Sequence, residues 1–214
     1  MRYVAGLQVA LELTESAPFK SLIDIGCGDG RFLKEVHKRH NDARLKGVDF
    51  SPTAIGYAKA FSPQINFAVE DITKTEIEQR WDVATLIEVC EHIAPEDLTG
   101  FLQFVTNSLE EKGRIVITVP HRNKQLSTKH YQHFNSQKLE ELLSPNFENI
   151  RFVYFDSRSH ILKALLLLIG GKGNFLVITL PFLNRFVHLI YKRFFLKTQQ
   201  ESDCLRIACI ATKK

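Results

Sequence analysis

The sequence predicts a single α/β domain with a mostly parallel sheet and helices on both of its faces. Apolar segments rich in β-branched residues alternate with helical patterns, which is typical of repeated strand–helix units. The chain has 214 residues, which is enough for one such domain with a sizeable core. No internal repeat divides the sequence, so we expect one domain over residues 1–214.

Seven strands and five helices follow from these patterns. The expected strands are residues 21–26, 44–50, 65–71, 81–88, 113–120, 148–156 and 203–212. The expected helices are a short amphipathic one at the N-terminus and residues 30–39, 52–60, 95–109 and 136–143. Pro95 suits the first turn of its helix, and Ser136 suits the N-cap of the next one.

Residues 157–200 do not fit a minimal fold and are expected to form an apolar, basic helical insertion. They contain seven basic residues and no acidic one, and the pattern over residues 182–197 predicts an amphipathic basic helix. Their apolar runs are shorter than the ~20 residues that cross a bilayer. Two interpretations stay open, namely helices that cover the core or form a subunit contact, and a surface for peripheral membrane contact or a lipid substrate.

The cysteines and the N-terminal residues indicate a cytoplasmic location, with a peripheral membrane location as the alternative. Four cysteines lack any CxxC spacing, which favours a reducing compartment; they are Cys27, Cys90, Cys204 and Cys209. The first residues lack the layout of a secretory signal.

A glycine-rich turn follows the first strand and opens the first inter-strand helix. In the segment from Asp24 to Gly30, three glycines allow the backbone to approach a ligand closely. Asp49 ends the second strand, where an acid can accept hydrogen bonds from both ribose hydroxyls. At the end of the third strand, Asp71 with Ile72 offers a carboxylate and an apolar contact to an adenine ring.

The segments LIDIGCGDG, GVDFS, VEDI and WDVATLIEV resemble motifs one to four of class I S-adenosylmethionine-dependent methyltransferases, in the same order. The resemblance implies a Rossmann-like fold with a seven-stranded sheet, S-adenosyl-L-methionine as cofactor and S-adenosyl-L-homocysteine as product. It places Asp24, Gly26, Cys27, Gly28, Gly30, Asp49, Phe50, Asp71 and Ile72 at the cofactor. The GxGxG spacing, in place of GxGxxG, favours a methyltransferase over a nicotinamide-dependent oxidoreductase.

A second group of polar residues follows the fourth strand, at the sheet edge where open α/β folds bind ligands. Glu88, Glu91 and His92 would share one face if the chain turned helical at Glu88. This ExxEH pattern resembles that of ubiquinone-pathway O-methyltransferases and small-RNA 2′-O-methyltransferases, which implies a divalent metal completed by a downstream histidine, His133 or His130. The alternative is a metal-free site in which His92 acts as a general base beside Glu91.

The expected activity is O-methylation of a hydroxyl on a small-molecule, glycan or lipid-linked acceptor. A metal-dependent RNA 3′-terminal 2′-O-methyltransferase and a non-catalytic binding module on the same fold are the alternatives. The body of the chain has no polybasic stripe and the sequence pI is about 8.8, so nucleic acid is a less favoured partner. The sequence leaves the oligomeric state open.

Overall fold

The structure is a computed structural model that describes residues 2–71, 79–158, 189–193 and 196–214. The helices are α1 (Arg2–Thr14), α2 (Arg31–Arg39), α3 (Pro52–Phe61), α4 (Pro95–Asn107) and α5 (Ser136–Leu143). The strands are β1 (Ser21–Ile25), β2 (Arg44–Asp49), β3 (Asn66–Val69), β4 (Trp81–Ile87), β5 (Leu109–Pro120), β6 (Phe147–Ser157), β7 (Lys197–Thr198) and β8 (Cys204–Lys213). Short 3₁₀ turns lie at Cys90–His92 and Glu201–Asp203.

The described strands form one mixed sheet in the order β3-β2-β1-β4-β5-β8-β6-β7. Strands β1 to β5 pair in parallel, whereas β8 pairs antiparallel with both β5 and β6. The predicted fold class is confirmed, but the sheet has eight strands where seven were expected. The additional strand, β7, is a two-residue pairing with β6 that carries no periodicity in the sequence.

Helices cover both faces of the sheet, as predicted, because alternate strand residues point to opposite sides. Leu22 of β1 belongs to a core cluster with residues of α1, α2 and α3. Its neighbour Ile23 belongs to a second cluster with residues of α4 and α5. This layering leaves the carboxyl ends of β1 to β4 at one edge, where the candidate site lies.

Two predicted details of helix ends are wrong. Residue Leu109 begins β5 and pairs with Trp81, so it does not belong to α4. The N-cap of α5 is Asn135, whose side chain accepts a hydrogen bond from the amide of Lys138 at 3.1 Å. Ser136 instead donates its hydroxyl to Glu201 at 2.7 Å, because the turn before β8 lies against this helix end.

Most of the predicted insertion over residues 157–200 lies outside the described residues. Its residues 189–193 are helical, in agreement with the helix predicted over 182–197. Tyr191 is buried beside Val9 of α1 and Phe155 of β6, which anchors this part of the chain to the domain. No described helix is both long enough and apolar enough to cross a membrane.

Candidate active site

A cleft of about 1100 Å³ opens at the carboxyl ends of the parallel strands. The glycine turn, the ends of β2 and β3, and the segment after β4 all contribute to its wall. Of the residues predicted to bind the cofactor, Gly26, Asp49, Phe50 and Asp71 line this cleft, and so do Glu88 and His92. Four separate sequence motifs therefore meet at one space, as the topological rule for open sheets requires.

The glycine turn after β1 needs residues without side chains at two positions. Gly26 and Gly30 have φ angles of 74° and 75°, in the left-handed region that favours glycine. A Cβ atom on Gly26 would lie 2.5 Å from Cγ2 of Val89, and one on Gly30 would lie 2.6 Å from the ring of Phe67. The turn is thus packed closely between the neighbouring strand ends, with backbone rather than side chains facing the cleft.

Asp24 lies beneath this turn, with only 2% of its surface exposed. It accepts a hydrogen bond from the hydroxyl of Thr85 at 2.6 Å. Burial, with a smaller contribution from the nearby charge of Asp49, raises the pKa of Asp24 to about 7. Cys27 is buried as well. Neither Asp24 nor Cys27 is among the described residues that line the cleft, so both pack beneath the turn.

Asp49 joins the end of β2 to the glycine turn. Its Oδ2 accepts from the amide of Gly28 and its Oδ1 accepts from the amide of Ser51, both at 2.9 Å. Each carboxylate oxygen has a second lone pair, so Asp49 can accept two further hydrogen bonds from the cleft side. The ring of Phe50, next in sequence, is 82% exposed at the cleft wall.

The end of β3 contributes two acids with different surroundings. Glu70 forms an ion pair with Lys46 at 2.9 Å, whereas Asp71 is exposed at the cleft. The predicted partner of Asp71, Ile72, lies outside the described residues.

Glu88, directly after β4, does not continue into a helix. Its φ angle is 56°, and the next residues form a short 3₁₀ turn, so the predicted common helical face with Glu91 and His92 does not form. The carboxylate of Glu88 lies 3.4 Å from the guanidinium of Arg206 and accepts a hydrogen bond from Thr118 at 3.4 Å. Arg206 carries no signal for this position in the sequence, because only the pairing of β5 with β8 brings it to this strand end.

Glu91 is a buried acid, with 1% of its surface exposed. Its Oε2 atom has no hydrogen-bond partner among the described residues. Burial raises the pKa of Glu91 to about 8, and the charge of Glu88 adds to the effect. A buried carboxyl oxygen without a partner is costly, so its presence here calls for a physical explanation.

Three histidines lie together beside Glu91. His92 is exposed to the cleft, and its Nδ1 lies 2.9 Å from the carbonyl of Lys129. His130 packs edge-on against His92, with 4.9 Å between ring centroids, and its Nδ1 lies 2.9 Å from Nε2 of His133. Partial burial and the neighbouring His92, His133 and Lys124 lower the pKa of His130 to about 4, so its ring is neutral at neutral pH.

Of the four predicted metal ligands, the structure places Glu91 and His92 together but brings His130, not His133, next to them. One potential ligand atom from each of Glu91, His92 and His130 lies within 4.8 Å of the other two. His133 lies behind His130, and both of its ring nitrogens are engaged in hydrogen bonds. The sequence spacing could not distinguish these two histidines, because both follow β5 in a segment without regular periodicity.

Comparisons with known proteins show the family of this chain. Residues 2–165 match the family model described as a methyltransferase domain. Trans-aconitate 2-methyltransferase of Escherichia coli O7:K1 is 34% identical over 77 residues, which are 35% of this chain and 31% of that protein. The matched segment thus spans less than a third of the length of this curated relative.

Solved structures share the fold over nearly the whole chain. A SAM-dependent methyltransferase from Archaeoglobus fulgidus has a TM-score of 0.68 and 18% identity, and the match covers 100% of this chain and 95% of that one. The N-methyltransferase NodS from Bradyrhizobium japonicum WM9, in complex with S-adenosyl-L-homocysteine, has a TM-score of 0.64 and 14% identity, with 97% and 85% covered. At these identities the likeness supports the fold alone.

Proposed function

Because the chain belongs to the family of methyltransferase domains, we propose that it transfers a methyl group from S-adenosyl-L-methionine to a hydroxyl oxygen of its acceptor. The acceptor is a small molecule, a glycan or a lipid-linked compound. The observation that carries the proposal is that the glycine turn, Asp49, Asp71 and His92 meet at one cleft. Membership in this family also favours methyl transfer over the alternative activity, that of a nicotinamide-dependent oxidoreductase, whose fold has a glycine-rich turn as well.

The cleft residues fit the proposed cofactor. Gly26 lines the cleft and presents only backbone there, because its positive φ angle and the closely packed Val89 exclude a side chain. Asp49 retains lone pairs for the two ribose hydroxyls, and Asp71 is exposed for the adenine amino group. The exposed ring of Phe50 would pack against the adenosine. The bound cofactor supplies an electrophilic methyl group on its sulfonium.

His92 is the residue we assign to activating the acceptor. Its Nδ1 can approach the carbonyl of Lys129 only by donating a hydrogen bond, so the neutral ring keeps its lone pair on Nε2. That lone pair can accept the proton of an acceptor hydroxyl while the oxygen attacks the methyl group. Glu91, next in the chain, borders this position as a buried acid. Positioning of the acceptor supplies much of the remaining acceleration.

The class of acceptor follows from weaker observations. The relative trans-aconitate 2-methyltransferase is named for a small-molecule acceptor, which supports an acceptor of similar size. We also propose peripheral membrane contact through residues 157–200, which would bring a lipid-linked acceptor to the cleft. In its described part, Leu189 is 57% exposed and both Lys192 and Arg193 are exposed, while Tyr191 faces the core.

Calorimetry with S-adenosyl-L-homocysteine and a transfer assay together test the proposal. We expect wild-type affinity on the order of micromolar, and at least a ~10-fold loss in Asp49→Ala, since two charge-assisted hydrogen bonds disappear. His92→Ala should keep this affinity but lose transfer of labelled methyl groups to a panel of hydroxyl acceptors. Asp42→Ala, which removes an exposed acid away from the cleft, is the matched control.

Two outcomes would contradict the proposal. Unchanged affinity in Asp49→Ala would remove the ribose assignment. Full transfer activity in His92→Ala would show that another group activates the acceptor.

A further inference from the structure

The cleft has a second part that the cofactor assignment does not use. Its total volume of about 1100 Å³ exceeds the ~300–1,000 Å³ of a typical small-molecule site, so a second ligand fits beside the cofactor. The wall of this part, the acceptor pocket, comes from the first half of α4 and from the loop between β5 and α5. The residues that form it are Glu96, Asp97, Gly100, Phe101, Phe104 and Tyr131.

Among the described residues, the cleft is lined by acids and by no lysine or arginine. The six acids are Asp49, Glu70, Asp71, Glu88, Glu96 and Asp97. Lys46 and Arg206 compensate two of these charges, through their ion pairs with Glu70 and Glu88. A cleft lined by one sign of charge attracts ligands of the opposite sign and repels those of its own.

The two acids of the acceptor pocket keep their carboxylates available. Glu96 and Asp97 follow Pro95 in the first turn of α4, and both are exposed. Neither side chain forms an ion pair or a hydrogen bond with a residue that the structure describes. An acid in a first turn also stabilises the helix through its dipole, but that contribution does not require the side chain to line a cleft. Both carboxylates can therefore bind a ligand in the pocket.

Tyr131 places an aromatic ring at the same pocket. The residue is 64% exposed, and its amide donates a hydrogen bond to the carbonyl of Glu91 at 2.9 Å. The side chain of Gln132, next in the chain, donates to the carbonyl of Ile93 at 3.1 Å. These bonds hold the loop against the segment that carries His92. Because this backbone is already ordered, the ring can contact a ligand without the cost of ordering the loop.

Carboxylates beside an aromatic ring are suited to binding an ammonium group. The face of a ring attracts a cation within about 6 Å of its centroid, and carboxylates add charge-assisted hydrogen bonds. Phe101 is buried and Phe104 half-buried, so they give the pocket an apolar wall that strengthens these interactions. A carboxylate or phosphate in the same place would meet two like charges and no basic side chain of the described residues.

We propose that the methyl acceptor also carries a protonated amine, which Glu96, Asp97 and Tyr131 bind. The inference rests on the proposed methyl transfer and adds the charge of the substrate to it. A protonated amine has no lone pair, so the hydroxyl of the same molecule receives the methyl group. The hydroxyl oxygen bonds to the methyl carbon as the bond from that carbon to sulfur breaks, and the hydroxyl proton passes to Nε2 of His92.

The charge of the cleft disfavours anionic acceptors. The 3′ end of an RNA brings phosphates to the cleft, where acids would repel them. The relative named for trans-aconitate matches over only 77 residues, so it does not determine the charge of the acceptor of this chain.

Calorimetry with three phenols of similar size tests the charge preference of the full-length wild type in the presence of S-adenosyl-L-homocysteine. Tyramine is positively charged at neutral pH, 4-hydroxyphenylacetamide is neutral and 4-hydroxyphenylacetate is negatively charged. We expect tyramine to bind at least ~10-fold more tightly than the carboxylate, with the amide between them. Tyramine binding that is no tighter than that of the carboxylate, including no binding of either, would overturn the proposal.

Variants of the pocket test the assigned residues. The double variant Glu96→Gln, Asp97→Asn should bind tyramine at least ~10-fold more weakly and the carboxylate no more weakly than the wild type. Tyr131→Leu keeps an apolar side chain but removes the ring face, and should weaken tyramine binding by ~3-fold. The control Glu140→Gln, Glu141→Gln removes the same charge from exposed positions of α5 and should leave it unchanged. Undiminished tyramine binding in the α4 double variant would overturn the assignment.

Binding of S-adenosyl-L-homocysteine distinguishes failure of this inference from failure of the proposed function. The double variant of α4 should bind it as the wild type does, since neither acid is assigned to the cofactor. A wild type that does not bind it would contradict the proposed function and this inference with it. A wild type that binds it without preferring the amine would contradict only the charge of the acceptor. Lost affinity for it in the double variant would place the two acids at the cofactor and overturn the inference.

Discussion

Asp24 shows at the scale of one residue how the fold changes the chemistry of a side chain. Its carboxyl group is buried under the glycine turn and has one strong donor, Thr85. Because burial disfavours the charged form, its pKa rises from 3.8 to about 7 in the folded protein. The folded state therefore holds a proton that the unfolded chain releases near pH 4.

Asp24→Asn should change the pH dependence of stability. A raised folded pKa means that the contribution of Asp24 is fully present below pH 3.8 and is lost as the pH rises to about 7. Relative to the variant, the wild type should lose several kcal/mol of unfolding free energy over this interval, since one pKa unit corresponds to ~1.4 kcal/mol. Urea unfolding at several pH values measures the difference, with the exposed Asp42→Asn as control. A difference that does not vary with pH would contradict the assignment.

Single residues were also the least predictable part of the site. The motifs identified Asp49, Asp71 and His92 as cleft residues, because each follows a recognisable strand at the same edge of the sheet. Arg206 carried no such signal, and the sequence spacing did not distinguish His130 from His133. Their positions depend on how β8 and the loop after β5 fold back, which is set by tertiary packing and not by local spacing.

At the scale of elements, the glycine turn links the end of β1 to α2 and to the segment after β4. Gly26 contacts Val89 so closely that no side chain fits between them. Gly56, in the exposed middle of α3, has nothing within 4 Å of the position of a Cβ atom. The two glycines provide a matched pair, since only one of them has a conformational or packing reason to lack a side chain.

Gly26→Ala should destabilise the protein by about 1–3 kcal/mol, because the residue would need a positive φ angle and would displace Val89. It should also weaken binding of S-adenosyl-L-homocysteine, since the turn faces the cleft. Gly56→Ala should instead stabilise the protein by about 0.5–1 kcal/mol through the higher helix propensity of alanine. Thermal denaturation with and without the ligand measures both effects. Equal destabilisation by the two changes would show that the packing at Gly26 is not specific.

Periodicity predicted the elements well where a side chain pattern repeats over a whole helix or strand. Helix α5 was predicted with the correct bounds, and β1, β2 and β4 were predicted to within one residue. The two-residue strand β7 was not predicted, because pairing with β6 is its only determinant. Likewise, Glu88 adopts a left-handed conformation that a helical pattern cannot reveal.

At the scale of the whole molecule, the charge is divided unevenly along the chain. Residues 157–200 carry seven basic and no acidic side chains, so the rest of the protein has a net charge of −3 within a total of +4. Such a segment is also rich in apolar residues, so it is suited to binding an anionic lipid surface. Each basic residue near such a surface contributes ~1 kcal/mol to the free energy of binding.

Sedimentation with lipid vesicles tests this charge distribution. The protein should bind vesicles rich in phosphatidylserine and not those of phosphatidylcholine alone, and high salt should release it. The double variant Lys192→Glu, Arg193→Glu should bind markedly less, whereas Lys59→Glu, an exposed change on α3, should not. Equal binding to both kinds of vesicle, or binding to neither, would contradict the proposed membrane contact. The other interpretation, in which the segment covers the core or forms a subunit contact, would then be favoured.

The position of β8 has a consequence for how the protein is synthesised. This strand is the last one described in the chain, yet it lies inside the sheet, between β5 and β6. Until the ribosome has released it, β5 and β6 cannot be joined, and both present unpaired backbone edges. Between the synthesis of β6 and that of β8, the nascent polypeptide thus exposes two strand edges, and chaperones would be expected to shield it over this interval.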